Sequence, residues 1–287
     1  MKDDKTTRET QETVCTCNRL FDVKTLHPLV SVIDLSCKCK KEKLRLDSYS
    51  VIMRQYPPDE YHFGRRTYDF SDATLLFRSP DKVIPISHDV YHEQRGTMLV
   101  FHPDLLGCTP LGRRISSYTF FKYRPEEALH LSCCEMRVIG RCLDDVQQEL
   151  KWGVDRYSAA LITGKIEQLL LSCQRFYTRQ FTTRRDADAQ PLQMLCTAID
   201  DYLTAGCVAT VGLPCACHFA QKFNCSSAYL NDMLRQATGK SFSDYLQSRR
   251  LVIARQMVEA HTRSDAYIAH LLGLGAPARL HELLEAE

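Results

Sequence analysis

One segment in the carboxyl-terminal part of the chain combines apolar residues with turn-forming residues in a regular order. Over residues 219–251 the chain reads FAQKFNCSSAYLNDMLRQATGKSFSDYLQSRRL. Asn224-Cys225 predicts a turn, and Ser226 can cap the helix after it because its hydroxyl accepts an unsatisfied backbone N–H. Gly239 can adopt the left-handed conformation that ends a helix. The stretch therefore predicts a helix, a tight turn, a second helix and, beyond Gly239, a third helix.

Apolar side chains of the second helix are expected to be buried on one face. Tyr229, Leu230, Met233 and Leu234 recur at helical spacing. Pro214 suits the first turn of the preceding helix, where a missing N–H costs nothing. Two arrangements fit this pattern: a helix-turn-helix that places its second helix in the major groove of DNA, and a plain helical hairpin within a bundle.

Specific residues, more than their spacing, connect the chain to a known family. In the carboxyl-terminal part they are FNCSSAYL (223–230), TGKSFSDYL (238–246) and RLVIA (250–254). In the preceding part they are YDFSDATLLF (68–77), FHPDLL (101–106), EALHL (127–131) and CQRFYTRQF (173–181). Together these segments strongly resemble the AraC/XylS family of bacterial transcription regulators, of the type found in Bacteroides-like bacteria.

The resemblance implies an α+β multidomain fold. A cupin-like β-barrel with a helical dimerisation segment would occupy residues 20–183 and bind a small effector. An all-α domain with two helix-turn-helix units would occupy residues 191–287, with residues 242–260 as the long helix between the units. We expect residues 1–19 to be a disordered tail and the polar residues 184–190 to be the linker.

Short β-branched and aromatic runs, separated by turn residues, predict strands between residues 20 and 125. The clearest runs are SYSVIM (48–53), ATLLF (73–77), KVIPI (82–86) and TMLVF (97–101). Short, evenly spaced strands are typical of a small barrel or sandwich.

An apolar stripe marks the helical region that follows, residues 125–183. Its members recur at intervals of three and four residues and are Leu143, Val146, Leu150, Val154, Tyr157 and Leu161. Such a stripe is one face of an amphipathic helix. It is either the core face of a helix packed on the strands or the seam of a homodimer, for which we expect residues 142–181 to be used.

Composition is that of a globular protein with room for two ordinary domains: 287 residues, 44% hydrophobic and 25% charged. No apolar run approaches the roughly 20 residues of a membrane helix. The charged start of the chain lacks the apolar core of a secretion signal. We therefore expect a cytoplasmic protein with no membrane partner.

The charge balance argues against strong DNA binding. Net charge is +2 for the whole chain, and from Pro191 onward eight Lys and Arg residues are offset by nine acidic ones. DNA-binding domains normally carry a basic face, since neutralised phosphates supply most of the affinity. Glu282 and Glu285 stand where the family resemblance implies Arg and Lys. Arg249 stands at a position that is usually apolar in the linking helix.

Ten residues are expected to contact DNA. They are Ser226, Ser227, Ala228, Asn231, Arg235, Lys240, Arg250, Ala278, Arg279 and His281. Asn231 could bond an adenine through both amide atoms, while Arg235 and Lys240 are better placed for phosphates. The last three residues belong to the second unit, which is expected to open near Asp265.

The expected partners are double-stranded promoter DNA, a second copy of the chain, a small effector and RNA polymerase. An alternative is a chain that has lost DNA binding and acts by pairing with related regulators. The 14 cysteines, which include Cys-x-Cys pairs at 15/17, 37/39 and 215/217, raise a further alternative, a redox or metal sensor. Cysteine used simply as a small apolar residue explains the same composition, and the pair spacing is a poor match to zinc sites.

Few other residues suggest chemistry. HDVYHE (88–93) has the residue types of a cupin metal site but the wrong spacing, so we expect no metal and no cofactor. Arg65-Arg66 and Arg113-Arg114 are either anion contacts or solvated charges. Cys134 and Arg137 would share a helix face, where the cation could activate the thiol. The sequence has no nucleophile elbow, phosphate loop or His-Glu-x-x-His motif, so we expect no enzymatic activity.

Overall fold

The computed structural model describes residues 11–37, 39, 41, 43–55, 72–85, 95–261 and 263–285. The chain divides into two compact units, which we call unit 1 (Met1–Gln180) and unit 2 (Phe181–Glu287). Each unit has its own cluster of buried apolar side chains. Among the described residues, no helix has the length and apolar character needed to cross a bilayer.

Unit 1 is built on antiparallel strands. They are β1 (Val30–Asp34), β2 (Lys43–Arg45), β3 (Tyr49–Gln55), β4 (Ala73–Arg78), β5 (Val83–Pro85), β6 (Arg95–Phe101) and β7 (Leu129–Leu131). Five of them form one sheet in the order β1-β6-β3-β4-β7, and β2 pairs with β5 in a second sheet. Strands β3, β4, β5 and β6 confirm the four predicted runs. Strands β1, β2 and β7 were not predicted.

The two sheets enclose an apolar core. Ile52 and Leu76, which are paired across β3 and β4, belong to the same buried cluster as Leu44 of β2 and Ile84 of β5. Within the described part of the chain, neither β2 nor β5 pairs with a strand of the five-stranded sheet, so the strands form two sheets and not a closed barrel. The fold class is therefore α+β, as expected, but the expected closed barrel is not observed.

Five helices belong wholly or partly to unit 1. They are α1 (Val14–Leu20), α2 (Pro103–Leu106), α3 (Pro110–Arg114), α4 (Cys133–Lys151) and α5 (Ser158–Ala187). Three short 3-10 turns, Ile115–Ser117, Thr119–Lys122 and Pro125–Glu127, join α3 to β7.

Helix α1 corrects the expectation of a disordered tail over residues 1–19. The Thr13 side chain accepts the N–H of Thr16 and caps the helix, and Val14 and Cys17 are 1% and 0% exposed. Burial of these side chains in the core of unit 1 stabilises the helix. The polar sequence of the segment gives no local indication of this long-range contact. Residues 1–10 of the predicted tail lie outside the described residues.

The predicted apolar stripe is divided among α4, the loop that follows it and α5. Helix α4 ends at Lys151, and Gly153 follows with φ +91°, a conformation that glycine adopts readily. Asp155 then starts α5, because its side chain accepts the N–H groups of Tyr157 and Ser158, each at 2.8 Å. The first three stripe residues are buried and the last three are exposed, so the stripe is not one face of one helix.

The predicted linker over residues 184–190 is mostly helical. Helix α5 continues to Ala187, and α6 begins at Gln190. Pro191, which we expected to end the linker, lies in the first turn of α6, where its missing N–H is tolerated. The boundary between the two units falls between Gln180 and Phe181, inside α5.

Unit 2 is helical throughout its described residues. After the end of α5 its helices are α6 (Gln190–Thr204), α7 (Cys207–Val211), α8 (Ala216–Lys222), α9 (Ser227–Thr238), α10 (Phe242–Glu259), α11 (Asp265–Leu271) and α12 (Pro277–Glu285). Phe219, Leu230, Leu234 and Ile268 contribute to its core and are each at most 1% exposed. The helix pairs α8–α9 and α11–α12 are therefore connected by the long helix α10, as the sequence predicts.

Candidate nucleic-acid interface

The first helix pair, α8 and α9, turns as predicted. Asn224 adopts φ +50°, and the Cys225 N–H donates to the Ala220 carbonyl at 2.9 Å. Ser226 caps α9, its hydroxyl accepting the Tyr229 N–H at 3.1 Å. The resulting turn brings α9 back across α8 within four residues of the end of α8.

One detail of this pair differs from the prediction. Pro214 precedes α8 instead of lying in its first turn, because Cys215 occupies the N-cap position. Cys215 is joined to Cys217 by a disulfide bond, which the sequence did not predict. The bond closes the first turn of α8 covalently.

The second pair, α11 and α12, repeats the same turn. The Leu274 N–H donates to the Ala269 carbonyl at 2.8 Å, and Gly273, with φ +67°, takes the place that Asn224 has in the first pair. A Cβ atom at Gly273 would lie 2.5 Å from Val208 Cγ1, so only glycine fits here. Unit 2 thus contains two helix pairs with one turn geometry.

Most of the predicted DNA contacts lie on the surface of these pairs. Exposed residues of the set are Ser227, Arg235, Lys240, Ala278, Arg279 and His281, and half-buried ones are Ser226, Ala228 and Asn231. Arg250 is buried. Asn231 and Arg250 have hydrogen-bond partners within unit 2.

Asn231 has a structural partner. Its side-chain oxygen Oδ1 accepts the Phe242 N–H at 2.9 Å, which satisfies a donor in the first turn of α10. Bidentate recognition of adenine needs both the oxygen and the nitrogen of the amide. The hydrogen bond from Phe242 positions α9 against α10, and base reading by Asn231 stays a prediction.

Arg250 is not a phosphate contact. It is 5% exposed, Nη2 donates to the Leu272 carbonyl at 2.7 Å, and Nη1 donates to Gln247 Oε1 at 2.7 Å. Burial lowers the pKa of its guanidinium. Leu246 and Ala254, one helical turn away on either side, are buried as well. This spacing in the sequence indicates that Arg250 lies on the buried face of α10. Its hydrogen bond to Leu272 connects α10 to the end of α11.

Arg249 has a compensating partner that sequence reasoning missed. Its Nε and Nη2 atoms donate to the two carboxylate oxygens of Asp200 on α6, each at 2.8 Å. A bidentate pair of this kind is stronger and more directional than a single ion pair. Tyr245 lies beside it, and burial together with a hydrogen bond to Cys196 raises the pKa of its phenol. The unusual arginine in α10 is thus accommodated by an acidic residue on a neighbouring helix.

Tyr229 on α9 joins the end of α5 to the first helix pair within unit 2. Its ring lies 5.1 Å from the ring of Phe181, measured between centroids, and its hydroxyl accepts a hydrogen bond from Arg184 Nη1 at 2.9 Å. Tyr229 was expected to be buried and is half-buried.

The two helix pairs differ in charge. Lys222 at the end of α8, Arg235 on α9 and Lys240 after it are exposed cations. On α12, Glu282 and Glu285 are exposed carboxylates. Exposed charge therefore favours a polyanion at the first pair and opposes one at part of the second.

His281 is the predicted contact of α12 that has an acidic neighbour. Its Nε2 atom lies 3.3 Å from Asp265 Oδ2 at the start of α11, and both side chains are largely exposed. Ala278 and Arg279 are exposed on the first turn of the same helix.

Other predicted features have mixed outcomes. The sequence HDVYHE (88–93) and Arg65-Arg66 lie outside the described residues. Arg113 and Arg114 end α3, and Arg114 Nη1 donates to Glu167 Oε1 at 2.9 Å. The described residues contain no group of three or more His, Cys, Asp or Glu side chains that could hold a metal ion.

Two cysteine environments are clear. Arg137 Nη2 lies 3.2 Å from Cys134 Sγ, and both side chains are exposed near the start of α4, which confirms that they share a helix face. Cys17 is fully buried, and burial, followed by the neighbouring charge of Cys39, raises the pKa of its thiol to about 12. Cys17 is therefore an unreactive core residue at neutral pH.

Comparison of the chain with protein-family models, with curated proteins and with solved structures gives no match in any of the three. The resemblance to AraC-type regulators therefore rests on the sequence segments themselves.

Proposed function

We propose that the chain is a sequence-specific DNA-binding transcriptional regulator of AraC type. The observation that carries the proposal is the pair of equivalent helix turns in unit 2, with the same hydrogen bond at Cys225 and Leu274, connected by α10. Two such pairs on one long helix can present α9 and α12 to neighbouring segments of a major groove.

The main contact is assigned to the first pair. Ser226, Ser227 and Ala228 lie at the amino end of α9, the part of a recognition helix that approaches base edges. Arg235 and Lys240 supply exposed positive charge for phosphates at the other end of the helix. Lys222, which was not among the predicted contacts, adds a third exposed cation.

The second pair is assigned a weaker contribution. Arg279 and His281 offer donors on α12, but Glu282 and Glu285 on the same helix repel phosphate. Each phosphate contact that is lost removes roughly one unit of the salt dependence of binding, together with much of its affinity.

Unit 1 is assigned the sensor role. Its antiparallel strands and enclosed apolar core agree with a cupin-like effector domain, which the resemblance implies. A homodimer is proposed to form through α4, α5 and the loop between them, since Trp152, Val154, Tyr157 and Leu161 are 87%, 62%, 54% and 50% exposed. Exposed apolar side chains in this number are typical of a protein interface.

The second candidate function is a titrating partner that pairs with related regulators and does not bind DNA. Two observations favour it: the acidic exposed surface of α12 and the exposed apolar side chains of unit 1. Such a protein would form heterodimers through unit 1 and would leave DNA free.

The test is a DNA-binding titration of the full chain at two salt concentrations, with its own upstream DNA and with random DNA. Ser227→Glu places a carboxylate at the amino end of α9, and we expect it to weaken binding at least tenfold. Gln193→Glu on α6 adds the same charge at an exposed site outside both helix pairs and should bind like the wild type. Equal binding by all three proteins would contradict the assignment of α9.

A second variant separates the two candidate functions. The double variant Glu282→Arg/Glu285→Lys should bind DNA more tightly than the wild type and with a steeper salt dependence, because it adds phosphate contacts on α12. Binding by this variant alone, with none by the wild type, would favour the titrating partner.

A further inference from the structure

Two arginine side chains are buried on one face of the unit 1 sheet. Arg54 on β3 and Arg78 on β4 are 7% and 8% exposed. Ser50 is paired with Arg78 across the two strands, and Arg54 is paired with Thr74. Residues paired across a sheet, and residues two positions apart along a strand, point to the same face. All four side chains therefore lie on one face.

This face is the one that looks into the core of unit 1. Ile52 lies between Ser50 and Arg54 along β3, and Leu76 lies between Thr74 and Arg78 along β4. Both apolar side chains belong to the buried cluster between the two sheets. The arginines are thus placed at an internal surface and not on the outside of the protein.

Arg78 differs from three other arginines of unit 1 and unit 2 that are buried or half-buried. Arg179 bonds Glu135, Arg249 bonds Asp200, and Arg250 bonds the Leu272 carbonyl. Among the described residues, none forms a hydrogen bond or an ion pair with the Arg78 guanidinium. Burying an unpaired charge lowers the stability of the folded protein, so core stability does not explain an arginine at this position.

The described residues around Arg78 leave its charge without an ion-pair partner. Burial lowers the pKa of its guanidinium, and the positive charge of Arg54 lowers it further. Glu126, which acts in the opposite direction, is exposed and forms no ion pair with it. Among the described residues, no anion is therefore in contact with the Arg78 guanidinium.

A buried hydroxyl completes the arrangement. Ser50 is 0% exposed, and its Oγ atom has no hydrogen-bond partner in the part of the chain that the structure describes. Buried polar groups are nearly always hydrogen-bonded, so an unpaired hydroxyl opposite an unpaired guanidinium needs an explanation. Both groups can donate hydrogen bonds to the same acceptor.

We propose that unit 1 binds the anionic group of a small molecule, a carboxylate or a phosphate, between Arg78 and Ser50, with Arg54 as a second positive charge. A planar guanidinium fits both anions with two parallel hydrogen bonds. The interpretation of this site as an effector site rests on the proposed regulatory function. Anion binding is measured without DNA, so a failure of anion binding and a failure of DNA binding are distinguishable.

The proposal has a signature in the stability of the ligand-free protein. If Arg78 serves a ligand, replacing it with an apolar side chain of similar length removes an unpaired buried charge. Arg78→Met should then unfold at a higher temperature than the wild type in a chloride buffer. A structural arginine would give the opposite result, because its removal would leave partners unsatisfied.

The experiment follows thermal unfolding of the full chain in sodium chloride, sodium phosphate and sodium acetate at equal ionic strength. The wild-type Tm should rise and saturate with phosphate, with acetate or with both, relative to chloride. A response to phosphate alone assigns a phosphorylated ligand, and a response to acetate alone assigns a carboxylic acid. Arg78→Met should lose the response, and Ser50→Ala should weaken it at least fivefold.

Arg45→Met is the matched control, because Arg45 is exposed on β2. It should respond to the anions like the wild type, which separates site binding from general salt effects. The proposal is overturned if the wild type shows no response beyond chloride, if Arg78→Met retains it, or if Arg78→Met has a lower Tm than the wild type in chloride.

Discussion

The side-chain amide of Gln180 gives the main chain around His130 the hydrogen bonds that a neighbouring strand would give. Gln180 Oε1 accepts the His130 N–H at 2.8 Å, and Nε2 donates to the Ala128 carbonyl at 3.1 Å. Arg179 adds a third bond, from Nη2 to the His130 carbonyl at 2.7 Å. The outer edge of β7 is therefore closed by side chains of α5, which protects it from pairing with another chain.

Replacing Gln180 should destabilise unit 1. Gln180 is 1% exposed, so Gln180→Leu would leave the His130 N–H and the Ala128 carbonyl buried without partners. We expect a loss of about 2–4 kcal/mol from two unsatisfied groups, measured by scanning calorimetry. Gln174→Leu, at an exposed position of the same helix, should change the unfolding free energy little. Equal effects of both changes would contradict the role of the amide.

Asn231 should behave as a positioning residue and not as a base reader. Asn231→Asp keeps an oxygen that can accept the Phe242 N–H, whereas Asn231→Leu removes it. We therefore expect Asn231→Leu to lower stability by about 1–2 kcal/mol and Asn231→Asp to retain most of it. The preferred DNA sequence, selected from a random library, should not lose an adenine specifically in Asn231→Leu.

Arg250 offers a test that separates positioning from phosphate contact. Arg250→Met removes the hydrogen bond to the Leu272 carbonyl and should lower the stability of unit 2 by about 1–3 kcal/mol. A phosphate contact would reduce the slope of log affinity against log salt by about one. We expect the slope of Arg250→Met to match that of the wild type in DNA titrations, while Arg235→Met should reduce it.

Cys17 should make stability fall at alkaline pH. Burial raises its pKa from 9.0 to about 12, so between these values the folded state holds a proton that the unfolded state has released. The stabilisation is fully present below about pH 9 and is lost as pH rises toward 12. The difference in unfolding free energy between wild type and Cys17→Ala should shrink over this range. A constant difference would contradict the assignment.

Local sequence predicted much of unit 2. Three features of this unit depend on atoms that are at most five residues apart along the chain. They are the turn at Asn224, the N-cap at Ser226 and the C-cap at Gly239. These interactions are nearly the same in any context that leaves the segment helical, and so composition and spacing were sufficient to predict α8, α9 and α10.

Strands were predicted where β-branched and aromatic residues form a run, and they were missed where only pairing with a neighbouring strand defines them. β3 and β4 are almost entirely buried and rich in β-branched and aromatic residues. β7 has only three residues, and it exists because β4 lies on one side and Gln180 on the other. No feature of LHL alone distinguishes it from a loop.

Neighbouring residues set where α9 begins and ends, so these boundaries follow from local sequence. The partners of the polar side chains, by contrast, depend on long-range contacts that form on folding. Asn231 bonds a residue 11 positions away, Arg250 one 22 positions away, and Gln180 one 50 positions away. A side chain of Asn, Arg or Gln can bond equally well to DNA, solvent or backbone. Its partner is fixed only when folding brings that partner within hydrogen-bond distance.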